Sequence, residues 1–182
     1  MRKAFYLMGT LNDGDAEWLS RVGLVQRVDK GSLLIRQGVK IECLFIVLEG
    51  KLCVRLAEHT NVAYLGQGEI VGEISFLDSR PPTASVIALE NTYVLAFPRE
   101  VILAKLDEDL GFAARFYRGI GVMLADRLQS TTGQLGYVLP RASNVVPMID
   151  DKSDELDDTW TELISFAASR FDRLLQAVGI AS

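Results

Sequence analysis

Histidine occurs once in this chain, at His59, and cysteine only twice, at Cys43 and Cys53. A single histidine cannot furnish the nitrogen ligands of a histidine-rich metal centre, and no Ser/His/Asp or Cys/His set can be assembled from the sequence. No metal, no cofactor and no catalysis are therefore expected. Both cysteines lie inside apolar runs, which fits reduced core thiols in a cytoplasmic protein better than a disulfide framework. No apolar run approaches the ~20 residues that cross a bilayer. The start, Met1-Arg2-Lys3 followed by apolar residues to Leu11, only faintly imitates a secretory leader. It lacks a small-residue cleavage site and runs into Asn12-Asp13-Gly14-Asp15. A cytoplasmic location with no membrane partner is the expectation. Basic charge is short as well: 19 Lys and Arg stand against 24 Asp and Glu, a net charge of −5 with a pI near 5.0. That balance leans against a nucleic-acid binder.

What is present is ordinary globular material: 49% of the 182 residues are hydrophobic and 24% charged, enough to bury one core. Asn12 followed by Ala16, Trp18, Leu19 and Val22 predicts a short helix over 12–22, closed by Gly23. From 24 to 97 the pattern becomes short β-type runs with glycines between them, at 24–28, 33–36, 43–48, 51–56, 62–65, 69–71, 84–89 and 93–97. Eight such runs at close spacing predict a mainly β fold, an antiparallel jelly-roll-like β-roll, with Trp18, Phe45, Val47 and Phe97 in its core. Leu48-Glu49-Gly50-Lys51 reads as a hairpin turn.

Helices are expected after Pro98. One segment begins at Val101, and a long helix over 109–135 carries Phe112, Phe116, Ile120, Met123, Leu124 and Leu128 in one stripe. That stripe either packs on the β-roll or forms a lid or dimer seam; the homodimer expected from the second reading has Phe116, Ile120 and Met123 near a two-fold axis and Gly119 allowing close approach. Residues 137–153 read as a linker and 154–182 as a helical tail with Ser153 as its N-cap. Acids crowd 150–158, mostly as helix-start charges. Residues 1–108 are thus read as the β-roll domain, 109–136 as a lid or dimer helix, and the remainder as linker and tail.

The most informative stretch is Gly72-Glu73-Ile74-Ser75-Phe76-Leu77-Asp78-Ser79-Arg80-Pro81-Pro82-Thr83-Ala84-Ser85-Val86. It offers backbone N–H groups, one acid inside an apolar run and little side-chain bulk, a combination suited to an anion beside a hydroxyl. Together with the glycine turns at Gly31, Gly38 and Gly50 and the approach Leu65-Gly66-Gln67-Gly68, it resembles the phosphate-binding cassette of cyclic-nucleotide-binding domains. The resemblance covers about residues 14–136 and implies a stand-alone domain of the catabolite-activator and protein-kinase-A-regulatory type with a divergent cassette.

It further implies roles by position. Gly72 would let the backbone approach the ligand, and Glu73 would accept from a ribose 2′-hydroxyl. The amides of Ser75, Thr83 and Ala84 would face a cyclic phosphate, with Ile74 between them and Ser85 opening the next strand. Thr83 stands where relatives that favour cGMP place a threonine. Pro82 stands where the family places its phosphate-binding arginine, and Arg80, two residues earlier, is the nearest cation. A local alternative pairs Glu73 with Arg80. The expected function is a regulatory sensor of cAMP or cGMP, weakened by Pro82 and signalling through helix 109–135. The rival is a ligand-free interaction module with a protein partner. A DNA-binding output is set aside, because the residues after Gly136 carry four Lys and Arg against eight acids.

Overall fold

The computed structural model describes residues 3–56, 60–136 and 157–179, with side chains over 3–56, 60–129 and 165–179. In chain order the elements are α1 (Ala4–Thr10), α2 (Asp13–Val22), β1 (Leu24–Val28), β2 (Leu33–Ile35), β3 (Cys43–Glu49), β4 (Leu52–Leu56), β5 (Thr60–Leu65), β6 (Ile70–Val71), α3 (Glu73–Asp78), β7 (Ser85–Ala88), β8 (Thr92–Pro98), α4 (Arg99–Glu108), α5 (Leu110–Gly136) and α6 (Asp157–Ala177). All eight expected strands form, within a residue or two of their expected bounds. His59, the linker 137–153, Ser153 and the side chains of the acidic run 150–158 lie outside the described residues.

The strands make two antiparallel four-stranded sheets, in the orders β1-β8-β3-β6 and β2-β7-β4-β5, which is a jelly-roll arrangement. The inner faces enclose Val28, Ile35, Phe45, Val47, Leu52, Val86 and Val94. On the outer face of the first sheet β3, β6 and β8 meet the helices while edge strand β1 stays exposed. β3 is thus buried on both sides: Leu44, Ile46 and Leu48 pack outward while Phe45 and Val47 pack inward. This explains a strand that reads as continuous apolar residues rather than an alternating pattern.

One expectation fails here. β3 and β4 do not pair with each other, because Leu48–Lys51 is a crossing between the two sheets and not a hairpin. A glycine turn between two apolar runs looks the same in either case. The difference is long-range: Gly50 has φ 95°, and a Cβ there would sit 2.7 Å from Thr92 Cα, so the turn is wedged against the start of β8. The Lys51 amide donates to Thr92 Oγ1 at 3.2 Å, fixing the crossing.

The N-terminal residues Ala4–Thr10 are a helix wedged into the helical layer. Ala4, Leu7, Met8 and Leu11 share one core with Phe112, Phe116, Ile120 and Met123 of α5 and with Ala167, Phe171, Leu174 and Leu175 of α6. α2 carries a capping box between Asn12 and Asp15, and Asp15 also accepts from Arg115 of α5 at 2.6 Å. Trp18 is only half-buried, edge-on to Phe112 with centroids 5.4 Å apart.

This layer overturns the expected two-fold seam. Phe116, Ile120 and Met123 are buried within the chain. Gly119 does permit a close helix approach, but to α1, since a Cβ there would lie 2.9 Å from Leu7 Cα. Leu128 is not on the buried stripe; it is 69% exposed.

Candidate functional site

Gly72 is where the site begins. It caps α3 with φ 93°, a left-handed conformation, and a Cβ there would meet Ile41 Cδ1 at 2.9 Å. That turn aims the first residue of α3, Glu73, inward, where it is 3% exposed. Around it lies a cavity of about 890 Å³, floored by Ile35, Val71 and Val86 of the roll and walled by β5 residues 62–65, α3, the 78–84 loop and Arg127 of α5.

A carboxylate this deeply buried needs partners. Burial pushes the Glu73 carboxyl above the ordinary range, while the Arg127 guanidinium and the amides of Glu73 and Gly72 pull it back. Arg127 donates to Glu73 through Nη1 and to the Ile70 carbonyl through Nη2 at 2.8 Å, and its Nη2 lies 3.8 Å from Glu69 Oε2. Burial raises the Glu69 carboxyl too, with Arg127 and Lys3 opposing. Next door on α5, Asp126 is held below its usual value by hydrogen bonds from Lys3 and Tyr6 of α1. Two adjacent residues of α5 are thus held by different elements, Arg127 by the cassette and Asp126 by Lys3 and Tyr6.

Of the residues marked in the sequence, Gly72, Glu73, Ile74, Ser75, Arg80, Pro82, Thr83 and Ala84 all line this cavity. Ser85 does not. Its Oγ accepts from the Gln37 amide at 3.0 Å, a strand-to-loop contact. The alternative pairing of Glu73 with Arg80 is excluded, because Arg80 binds Asp78 at 2.6 Å with its side chain 83% exposed. Pro82 contributes only a carbonyl, which accepts from the Gly38 amide at 2.9 Å.

Arg127 and Lys3 were missed in the sequence. Arg127 had a signal: Phe116, Ile120, Met123 and Arg127 follow one another at spacings of four, three and four, so a guanidinium continues the buried stripe. A charge at a core position of a helix implies a buried partner. Lys3 had none, since the pattern around it does not indicate where α1 packs.

Residues 25–109 match the family model for the cyclic nucleotide-binding domain. The chain is 38% identical over 81 residues to the cyclic AMP receptor protein of Thermus thermophilus, covering 41% of this chain and 37% of that protein. It is 26% identical over 123 residues to lysophospholipase nte1 of Aspergillus fumigatus, covering 65% of this chain but 8% of that protein. A cyclic nucleotide-binding domain from Methylobacillus flagellatus superposes with a TM-score of 0.68 at 17% identity, over 78% of this chain and 85% of that one. Residues 25–109 are thus a domain of the cyclic nucleotide-binding type. It spans a minor part of the length of both curated relatives. Among the described residues no helix is long and apolar enough to cross a membrane.

Proposed function

We propose that this chain is a non-catalytic regulatory module that takes a cyclic mononucleotide, cAMP or cGMP, in the cavity beneath α3 and passes occupancy to α5. The observation that carries this reading is Glu73: a buried carboxylate at the inner end of the cassette, whose cation comes from α5. A ribose hydroxyl donating to Glu73 enters the same hydrogen-bonding set as Arg127, so filling the cavity acts on the helix that closes it. With Pro82 in place of a guanidinium, affinity is expected to be micromolar or weaker.

Calorimetric titration with cAMP, cGMP and a cyclic dinucleotide tests the assignment directly. Glu73→Ala should weaken binding of the cyclic mononucleotide by about 1.5–3 kcal/mol, and Arg80→Ala by less than ~1.5 kcal/mol, because the first contact is buried and the second cation is on an exposed turn. Nanomolar binding that collapses on Arg80→Ala would mean that the loop closes inward on the phosphate, against this assignment of roles.

A ligand-free interaction module is the second reading, and one observation favours it. Each cation lining the cavity is already paired within the chain: Lys3 with Asp126, Arg80 with Asp78, and Arg127 with Glu73. Absence of heat with every nucleotide, with a folded protein, would decide for it.

The proposed module is a homodimer through α5, but by a different face from the buried stripe. Leu110, Tyr117 and Leu128 are 79%, 46% and 69% exposed, and the small residues Ala114, Gly121 and Ala125 lie exposed between them at spacings of three and four. Such a face suits close helix–helix contact. Tyr117→Glu should shift a sedimenting dimer to monomer at tens of micromolar, the concentration range of modest interfaces. A wild-type protein that is already monomeric there would refute the dimer.

A further inference from the structure

α3 is six residues long, too short to hold itself as a helix without outside support. At its start Arg127 holds Glu73, and in its middle Phe76 packs edge-on against Phe116 of α5. Its C-terminal end is held by one side chain, Arg99, the first residue of α4. Its Nη1 donates to the carbonyls of Ser75 and Phe76 at 3.2 and 3.1 Å, and its Nη2 donates to Ser79 Oγ at 2.8 Å. The guanidinium also lies over the Phe76 ring, 5.3 Å from its centroid. These bonds meet a specific need. The helical partner of the Phe76 carbonyl would be the Arg80 amide, which instead donates to Asp78 Oδ1 at 3.0 Å. Ser79, the cap, has φ 60°, the only left-handed non-glycine conformation among the described residues. A residue held there persists where its surroundings over-determine it. Arg99 is itself anchored, its amide donating to the Glu42 carbonyl at 2.8 Å.

We propose that Arg99 is a positioning residue for the cassette. By fixing the C-terminal end of α3 it fixes the opposite, cavity-facing end at Gly72–Ser75, and it ties that end to α4 by a route that does not pass through Arg127. The effect on nucleotide affinity rests on the ligand reading above; the effect on Glu73 does not. Lysine cannot substitute, because a single ammonium lacks the planar fork that reaches two carbonyls and a hydroxyl together.

Wild type, Arg99→Ala and Arg99→Lys are compared by amide hydrogen exchange, by the NMR titration of the Glu73 side-chain carboxyl, and by cAMP calorimetry. In Arg99→Ala the Phe76 and Ser79 amides should exchange at least about tenfold faster while the β3 and β8 amides keep wild-type rates. The Glu73 midpoint should move toward the ordinary carboxylate value as the first turn loosens, a change that a purely local role at the far end of α3 would not cause. The cAMP dissociation constant should rise by about tenfold or more, with Arg99→Lys intermediate. Thermal unfolding checks that each variant is folded, and Arg99→Lys decides the matter if Arg99→Ala is not. Wild-type exchange in α3, an unmoved Glu73 midpoint, or loosened α3 with unchanged cAMP affinity would overturn the proposal. If wild type takes up no cyclic nucleotide, the ligand reading fails alone, and the exchange and Glu73 arms still decide the role of Arg99.

Discussion

Arg127→Ala should lower folding stability by about 2–4 kcal/mol at pH 7, the largest loss expected from any single polar substitution in the described residues. The side chain it removes is 28% exposed, but the carboxylate it leaves behind has only 4% of its side chain accessible. Removing one partner of such a pair strands a buried charge and also leaves the Ile70 carbonyl without its donor. The deficit should depend on pH in a definite direction. Burial raises the Glu73 carboxyl above its usual 4.5, with Arg127 among the groups holding it down. A group whose folded value is raised binds its proton more tightly in the native state than in the unfolded chain. It therefore costs stability as pH rises from about 4.5 through the raised folded value, and Arg127→Ala widens that window upward. Asp126 works in the opposite sense: held below its usual 3.8, it contributes stability that is lost as pH falls through its depressed value. Urea unfolding at pH 5 and pH 8 should show the larger Arg127→Ala deficit at pH 8. Adding Glu73→Gln should recover much of it, since a neutral amide needs no counter-charge. An equal deficit at both pH values, unrelieved by Glu73→Gln, would mean that Arg127 acts by packing and not by charge.

The same residue shows where sequence reading stops. Local chemistry was legible: the Asn12 cap, the eight strands, the stop at Pro98 and the glycine-acid turn at Gly72 are each set by neighbouring residues. What was not legible depends on which faces meet. The Gly50 turn carries the chain between sheets because β8 fills the space beside it, and nothing within 48–51 says so. The stripe on α5 was real, yet its occupant is α1 of the same chain, because apolar periodicity gives the width of a buried face and not its partner. Arg127 lay in plain view on that stripe, and Glu73 stood out as one acid inside an apolar run. Joining the two needed only the premise that the charge on the stripe and the charge in the apolar run satisfy each other. Arg99 left no such trace, since its targets are carbonyl groups, which every residue has.

Pro82→Arg should strengthen binding of a cyclic mononucleotide by roughly 10- to 1,000-fold. A charge-assisted, forked contact to a phosphate contributes about 1.5–4 kcal/mol to binding, while loss of the proline ring lowers folding stability by up to ~1 kcal/mol and does not enter the binding equilibrium. The substitution is structurally mild. Pro82 has no amide to lose, and the bond it does make, its carbonyl to the Gly38 amide at 2.9 Å, is available to any residue. It also frees Pro81 from the restriction a following proline imposes. The new side chain leaves from a half-buried position on the cavity lining between Arg80 and Thr83, opposite Glu73 in sequence order along the cassette. Phosphate is the group that should feel it, so adenosine serves as the control: it keeps the ribose hydroxyls for Glu73 and lacks the anion. Calorimetry should show the gain with cAMP or cGMP and none with adenosine, and raised salt should erode it because the contact is ionic. A gain of equal size for adenosine would locate the effect in loop flexibility. No gain for either would mean that residues 82–84 do not face a ligand phosphate at all, and would leave the interaction-module reading as the one consistent with a cavity whose cations are already paired.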